Sequence, residues 1–146
     1  MSGEKVYLLN ISQGPYLVLH SLYIIGKRHP KRTTAQYIAS KLKGSQAHVA
    51  KILQQLAKRD VVKSFAGPTG GFVLTDVGKS LSLLDIFEKI GEKVTHSDCH
   101  FNREDCPFDK CILSDKIHDL SDALYNEFKN TTLQDLLKED KNAGII

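Results

Sequence analysis

TTAQYIASKLKGSQAHVAKILQQLAKRDVVKSFAGPTGGFVL, residues 33–74, is the stretch whose reading decides the fold. Thr33 stands three residues before Gln36, the spacing of a capping box. Ala35, Ile38, Ala39 and Leu42 then fall at i, i+3, i+4 and i+7, so a first helix runs to about Lys43. Gly44 offers the positive φ of a helix C-cap, and Ser45 is a good N-cap for a second helix in which Val49, Ile52, Leu53 and Leu56 repeat the spacing. Asp60 ends that helix. Val61 to Phe65 is β-prone, Gly67-Pro68-Thr69-Gly70-Gly71 is a turn, and Phe72-Val73-Leu74 is β-prone again. Two short helices about a glycine turn followed by a tight hairpin make a winged helix-turn-helix; the fold class is mainly α with a small β-hairpin wing.

The outer face of the second helix carries Gln46, Ala47, His48, Lys51, Gln54, Gln55 and Lys58, and no carboxylate. Amides, an imidazole and ammonium groups donate to base edges and phosphates, which suits a helix lying in the major groove of DNA. A solvated helix face is the plainer alternative, and the hairpin that follows favours the DNA reading. The hairpin's loop has no large side chain, so its backbone at Gly67, Gly70 and Gly71 can approach a phosphate or a minor groove closely; a merely tight hairpin is the alternative. Thr34 and Ser45 at the helix starts and Lys63 on the first hairpin arm join the candidate DNA-binding set. Lys27, Arg28, Lys31 and Arg32 precede the first helix, with His29 and Pro30 among them. They form either a solvated loop or a phosphate clamp, the clamp resting on Arg28 and Lys31.

Ile52-Leu53-Gln54-Gln55-Leu56 and Gly67-Pro68-Thr69-Gly70-Gly71-Phe72-Val73-Leu74, followed by Ser82-Leu83-Leu84-Asp85-Ile86, closely resemble the Rrf-type winged helix-turn-helix transcription regulators, the IscR/NsrR/CymR-like family. The resemblance runs from about Leu8 to Leu137, and the Gly-Pro-x-Gly-Gly-aromatic wing is its most specific part. It implies a homodimeric regulator, repressor-like, acting on a palindromic operator in double-stranded DNA.

Composition agrees with that division of labour. With 146 residues and 41% hydrophobic content, the chain has room for one domain plus a dimerisation extension. The net charge of +3 conceals two halves: residues 1–79 hold 12 Lys/Arg against 3 Asp/Glu, a net of +9, and residues 80–146 hold 8 against 14, a net of −6. The basic half fits a polyanion. No signal peptide is read at the start, and the most apolar segment, Tyr16 to Ile25, is interrupted by His20 and Ser21, so a cytoplasmic protein without a membrane span is expected. No Ser/His/Asp arrangement, P-loop or paired-carboxylate motif appears, and no enzyme is expected.

Residues 1–79 thus read as the DNA-binding domain, after a lead-in with a short strand at Val6 to Leu9. Ser12 and Pro15 open its first helix, which runs to about Gly26 with Val18, Leu19, Leu22, Tyr23 and Ile25 as an apolar surface. Residues 80–146 read as a cysteine loop, a dimerisation helix and a tail. Ser82 and Asp85 form a capping box for a helix bearing Leu83, Ile86, Phe87 and Ile90, which Gly91 ends. Residues 94–111 have no period. A long helix runs from about Cys111 to Lys129, with Leu113, Ile117, Leu120, Leu124 and Phe128 three or four apart; a monomer core element or a partner helix would each explain the stripe, and the resembled family dimerises through a helix placed here. Thr131 to Leu137 reads as a short closing helix, and residues 138–146 as a frayed tail.

Cys99, Cys106 and Cys111, spaced Cys-x6-Cys-x4-Cys, are the only cysteines, an odd number in one polar loop. A disulfide framework is therefore not expected, and three thiolates that can converge suit a soft metal centre. The resemblance implies an iron-sulfur cluster, 2Fe-2S or 4Fe-4S, through which redox, nitric oxide or iron-sulfur status is sensed. The family's commoner spacing is Cys-x5-Cys-x5-Cys, so the middle cysteine is displaced by one. Its usual fourth-ligand positions hold Ser114 and Pro15 here, which leaves His100, His118, Asp105 and His20 of the partner subunit as candidates. A structural zinc site and inert thiols are the alternatives for this loop. For the whole chain the alternative is a winged-helix scaffold with a structural zinc site or cluster that acts as a protein-interaction or electron-transfer module.

Overall fold

The computed structural model describes residues 12–94, 105–112 and 116–139. α1 (Gln13–Lys27) lies behind the helix-turn-helix pair α2 (Ala35–Leu42) and α3 (Gln46–Ala57); β1 (Val62–Phe65) and β2 (Gly71–Leu74) form the wing; α4 (Asp76–Ser80), α5 (Leu83–Lys89), α6 (Lys116–Asn130) and α7 (Leu133–Glu139) follow. The strands are antiparallel, with Val62 opposite Leu74 and Phe65 opposite Gly71. One core joins these elements: Val18, Leu22 and Ile25 of α1 meet Ile38 of α2, Val49, Leu53 and Leu56 of α3, Val62, Phe72 and Leu74 of the wing, Ile86 of α5 and Leu133 of α7. Among the described residues no helix is long and apolar enough to cross a membrane.

The capping signals hold in part. Ser45 caps α3, its hydroxyl accepting the His48 N–H at 3.3 Å. The Ser82–Asp85 capping box forms with both bonds in place. Thr132 and Asp135 make the same reciprocal pair at the start of α7. Accepting the Thr132 backbone N–H, and then its side-chain hydrogen bond, holds the Asp135 carboxyl below its ordinary pKa.

The structure departs from the sequence expectation at four places. The N-cap of α2 is Thr34, which accepts from the Tyr37 N–H at 3.1 Å, and not Thr33. Thr33 is engaged elsewhere: its N–H and C=O both pair with Phe72, at 3.0 and 2.8 Å, adding a one-residue third strand to the wing. The left-handed residue closing α2 is Lys43 (φ 52), one place before Gly44. The long helix begins at Lys116, beyond Cys111, which lies in irregular chain. Lys138 and Glu139 continue α7 where a tail was expected, while residues 140–146, like the strand at Val6 to Leu9 and Leu113, lie outside the described residues. α4 is an element that the sequence pattern does not signal. Thr75 caps it, accepting from the Gly78 N–H at 2.9 Å and donating to the carbonyls of Asp60 and Val61 at the foot of the wing.

Candidate nucleic-acid interface

α3 is amphipathic in the sense a groove-reading helix requires. Val49, Ile52, Leu53 and Leu56 are buried, while Gln46, Ala47, His48, Lys51, Gln54, Gln55 and Lys58 are all exposed. Its first turn holds no acidic residue, so the positive end of the helix dipole is left uncompensated and faces solvent beside Gln46 and His48. Ser45 and Thr34 act as caps. Each hydroxyl oxygen accepts a backbone N–H, and both residues stay exposed, so each hydroxyl proton can still be donated outward.

The wing's glycines have distinct reasons to be glycine. Gly67 has φ +89 with open space around it, and its carbonyl accepts the Gly70 N–H at 2.9 Å, closing the Gly67-Pro68-Thr69-Gly70 turn. A Cβ on Gly70 would collide with the Phe65 carbonyl oxygen. Gly71 has φ +134, and a Cβ there would stand 3.0 Å from the Thr33 backbone. The requirement at Gly70 and Gly71 is thus internal to the wing and its seam with Thr33.

The cationic connection is organised on aromatic rings. The Arg28 guanidinium carbon lies 3.6 Å from the Tyr37 ring centroid. Arg32 lies 3.8 Å from that of Phe65, and its Nη1 donates to the Thr69 carbonyl at 3.1 Å. Lys31 and Lys63 are exposed, Lys63 with its ammonium 5.3 Å from the Phe65 ring. Arg32 belongs to the basic run that reads as a candidate phosphate clamp, although only Arg28 and Lys31 are singled out there as DNA-binding residues. Its pairing with Phe65 and Thr69 carries no local signal in that run.

The cysteine loop is described only in part. Cys106 is half-buried and Cys111 exposed, both as free thiols, and Cys99 lies outside the described residues. Among the described residues no three His, Cys, Asp or Glu side chains gather to hold a metal. His20 stacks on Tyr16 with ring centroids 3.8 Å apart, and its Nδ1 donates to the Tyr16 carbonyl oxygen at 2.7 Å, which leaves Nε2 as the ring nitrogen without a role in that contact. Asp105 and His118 are exposed, and His100 lies outside the described residues.

α6 buries no residue completely. Phe128 at its C-terminal end packs on Phe87 with centroids 5.8 Å apart, while Leu120 is 69% and Leu124 38% exposed.

A winged helix-turn-helix with an acid-free, exposed second helix and a cation-bearing wing defines a DNA-binding protein of the winged-helix class. The chain belongs to the Rrf2 family, described as an iron-dependent transcriptional regulator, whose model matches residues 11–139. It is therefore a transcription regulator and not an enzyme. A protein of Aquifex aeolicus (strain VF5), provisionally described as an HTH-type transcriptional regulator, is 29% identical over 128 residues, 85% of this chain and 89% of the relative. The HTH-type transcriptional regulator IscR of Escherichia coli is 27% identical over 97 residues, 66% of this chain and 60% of its own length, so the match spans well under the whole relative. Among solved structures, CymR (YrzC), the global cysteine regulator of B. subtilis, aligns with a TM-score of 0.67 at 22% identity, covering 90% of this chain and 98% of that one. T. potens IscR aligns with a TM-score of 0.66 at 18% identity, covering 95% and 93%. At these identities the structural likeness shows the fold.

Proposed function

We propose that this chain is a homodimeric, cytoplasmic repressor that binds a palindromic operator and adjusts its affinity through an iron-sulfur cluster. The observation that carries the DNA reading is the acid-free exposed face of α3. Gln46, Ala47, His48 and Lys51 enter the major groove, Thr34 and Ser45 donate to phosphates at the helix starts, and Gly67, Gly70, Gly71 and Lys63 bring the wing to the flanking backbone. Lys31 joins them from the connection before α2. Arg28 contributes charge from its place on Tyr37.

The stripe of Ile117, Leu120 and Leu124 on α6 supports a second copy as the partner. A dimer through α6 sets two α3 helices about one turn of DNA apart, roughly 34 Å. The division at residues 79/80 is one of function: Leu83, Ile86 and Leu133 share the core of the winged part, so the two regions fold together.

Three thiolates in one loop are the donor set a soft metal centre takes, and Cys99, Cys106 and Cys111 would hold the cluster. When bound there, a cluster would supply redox-active charge to the segment before α6. Its preference for one DNA-binding conformation would set affinity by the difference in binding between the two states. IscR being a relative over 66% of this chain supports that reading.

Footprinting on genomic fragments recovered by gel shift tests the proposal. The expected result is a two-fold symmetric protected site with protein dimeric in sedimentation; a single unrepeated half-site bound by monomer refutes it.

A further inference from the structure

The wing's turn, residues 66–71, carries no charged side chain. Arg32 nevertheless places a cation against it, anchored twice, by the Phe65 ring at 3.8 Å and by the Thr69 carbonyl at 3.1 Å. Lys63 holds its ammonium 5.3 Å from the same ring. Arg32 and Lys63 are both exposed, and among the described residues no carboxylate stands at ion-pair distance from either. Two like charges held within 5.3 Å of one ring centroid repel each other, and an anion in contact with both would relieve that repulsion. Thr69 takes one of the five donors of the guanidinium, and stacking fixes the plane in which the remainder lie. A side chain already held in one geometry loses less rotamer freedom when it binds. The platform is also well supported: Phe65 sits at the end of β1 opposite Gly71, and Gly71 packs against the backbone of Thr33, the residue after Arg32. Both anchors of the arginine therefore move as one body with the wing.

We infer that Arg32 and Lys63 form a preformed clamp for a DNA backbone phosphate on the flank of the wing, Arg32 supplying from outside the hairpin the cation its turn lacks. The inference rests on the proposed DNA binding and adds to it a contact residue and its geometry. A phosphate contact makes two demands that a wing-orienting role does not: loss of the charge must lower the salt dependence of binding, and the loss must be blind to sequence.

The test measures affinity over a salt series by fluorescence anisotropy, for full-length wild type, Arg32→Ala, Arg32→Lys and Phe65→Leu. The probes are a random-sequence duplex and a genomic fragment retained in gel shift. Arg32→Ala should weaken both duplexes by a similar factor, about three- to tenfold, and lower the slope of log K against log salt by about 1. Arg32→Lys keeps the charge without the stacked fork, and Phe65→Leu keeps both charges without the platform. Each should bind more weakly at nearly the wild-type slope, and thermal unfolding identifies any variant weakened by misfolding. An Arg32→Ala protein with the wild-type slope overturns the clamp, whether its affinity is unchanged or reduced, the latter meaning that Arg32 only orients the wing. A loss confined to the specific fragment overturns it too, in favour of base reading. Wild type that binds neither duplex at any salt would instead refute the DNA-binding reading underneath.

Discussion

Leu120→Ala should separate dimerisation from folding. In the single chain Leu120 is 69% exposed, so most of its side chain has no partner within the fold. Truncation to alanine removes about three methylene equivalents, worth about 2.4 kcal/mol at about 0.8 kcal/mol each when fully buried. Only the fraction exposed in the monomer is available to an interface, which leaves about 1.6 kcal/mol per copy and, across a two-fold axis, about 3 kcal/mol per dimer. At about 1.4 kcal/mol per tenfold, the dimer dissociation constant should rise by roughly 150-fold. Sedimentation equilibrium measures this directly. Circular dichroism should show full helicity and the stability of the dissociated chain should change by less than about 0.5 kcal/mol, as expected for an exposed position. A variant that dimerises as tightly as wild type would refute the assignment of α6 as the dimer helix. A large loss of monomer stability would show instead that Leu120 belongs to the fold.

Two further outcomes follow from the wing and from α7. Gly71→Val should destabilise the fold by about 1–3 kcal/mol, because φ +134 excludes a branched side chain and its Cβ meets the Thr33 backbone. Thermal unfolding reads this, and an unchanged midpoint with lost DNA binding would return Gly71 to a purely DNA-facing role. For Asp135 the folded pKa lies below the ordinary 3.8, so its contribution is fully present above that value and is lost as pH falls through the lower, folded one. Wild type should therefore exceed Asp135→Ala in stability near neutral pH, and the gap should close in strong acid; a gap independent of pH would contradict the Thr132 pairing as its source.

The elements carrying the fold were legible because each was signalled locally. Ser45 before an i, i+3, i+4 stripe, the Ser82–Asp85 box and the glycine-rich turn between β-prone runs need no long-range information, and all three formed. The misreadings share a different cause. Thr33 and Thr34 are equally good caps by composition, and the choice between them is made forty residues away, where Phe72 claims both backbone groups of Thr33. That pairing moves the helix start by one residue. Gly44 is the better left-handed residue intrinsically, yet Lys43 takes φ 52 while the Gly44 N–H closes onto the Ala39 carbonyl, so the geometry of the α2–α3 turn outweighs the steric preference. The apolar period of Leu113 and Ile117 points to an earlier start for α6 than the structure has, because it continues into chain that holds Cys111 outside the helix. At the candidate interface, the exposed face of α3 was visible as a pattern of residue types. The Arg32 clasp was not, since its parts lie in three separate segments.

Cluster-dependent DNA binding is read most directly from the affinity of anaerobically purified protein for its recovered operator, measured before and after iron and sulfide are removed. Iron and sulfide should be bound in near-equal amounts, affinity should change in a graded way when they are removed and recover on reconstitution, and all of this should be abolished by replacing Cys99, Cys106 and Cys111 with alanine while helical circular dichroism persists. Stoichiometric zinc without sulfide, or a triple-alanine protein that keeps the full DNA response, would rule out cluster-dependent regulation.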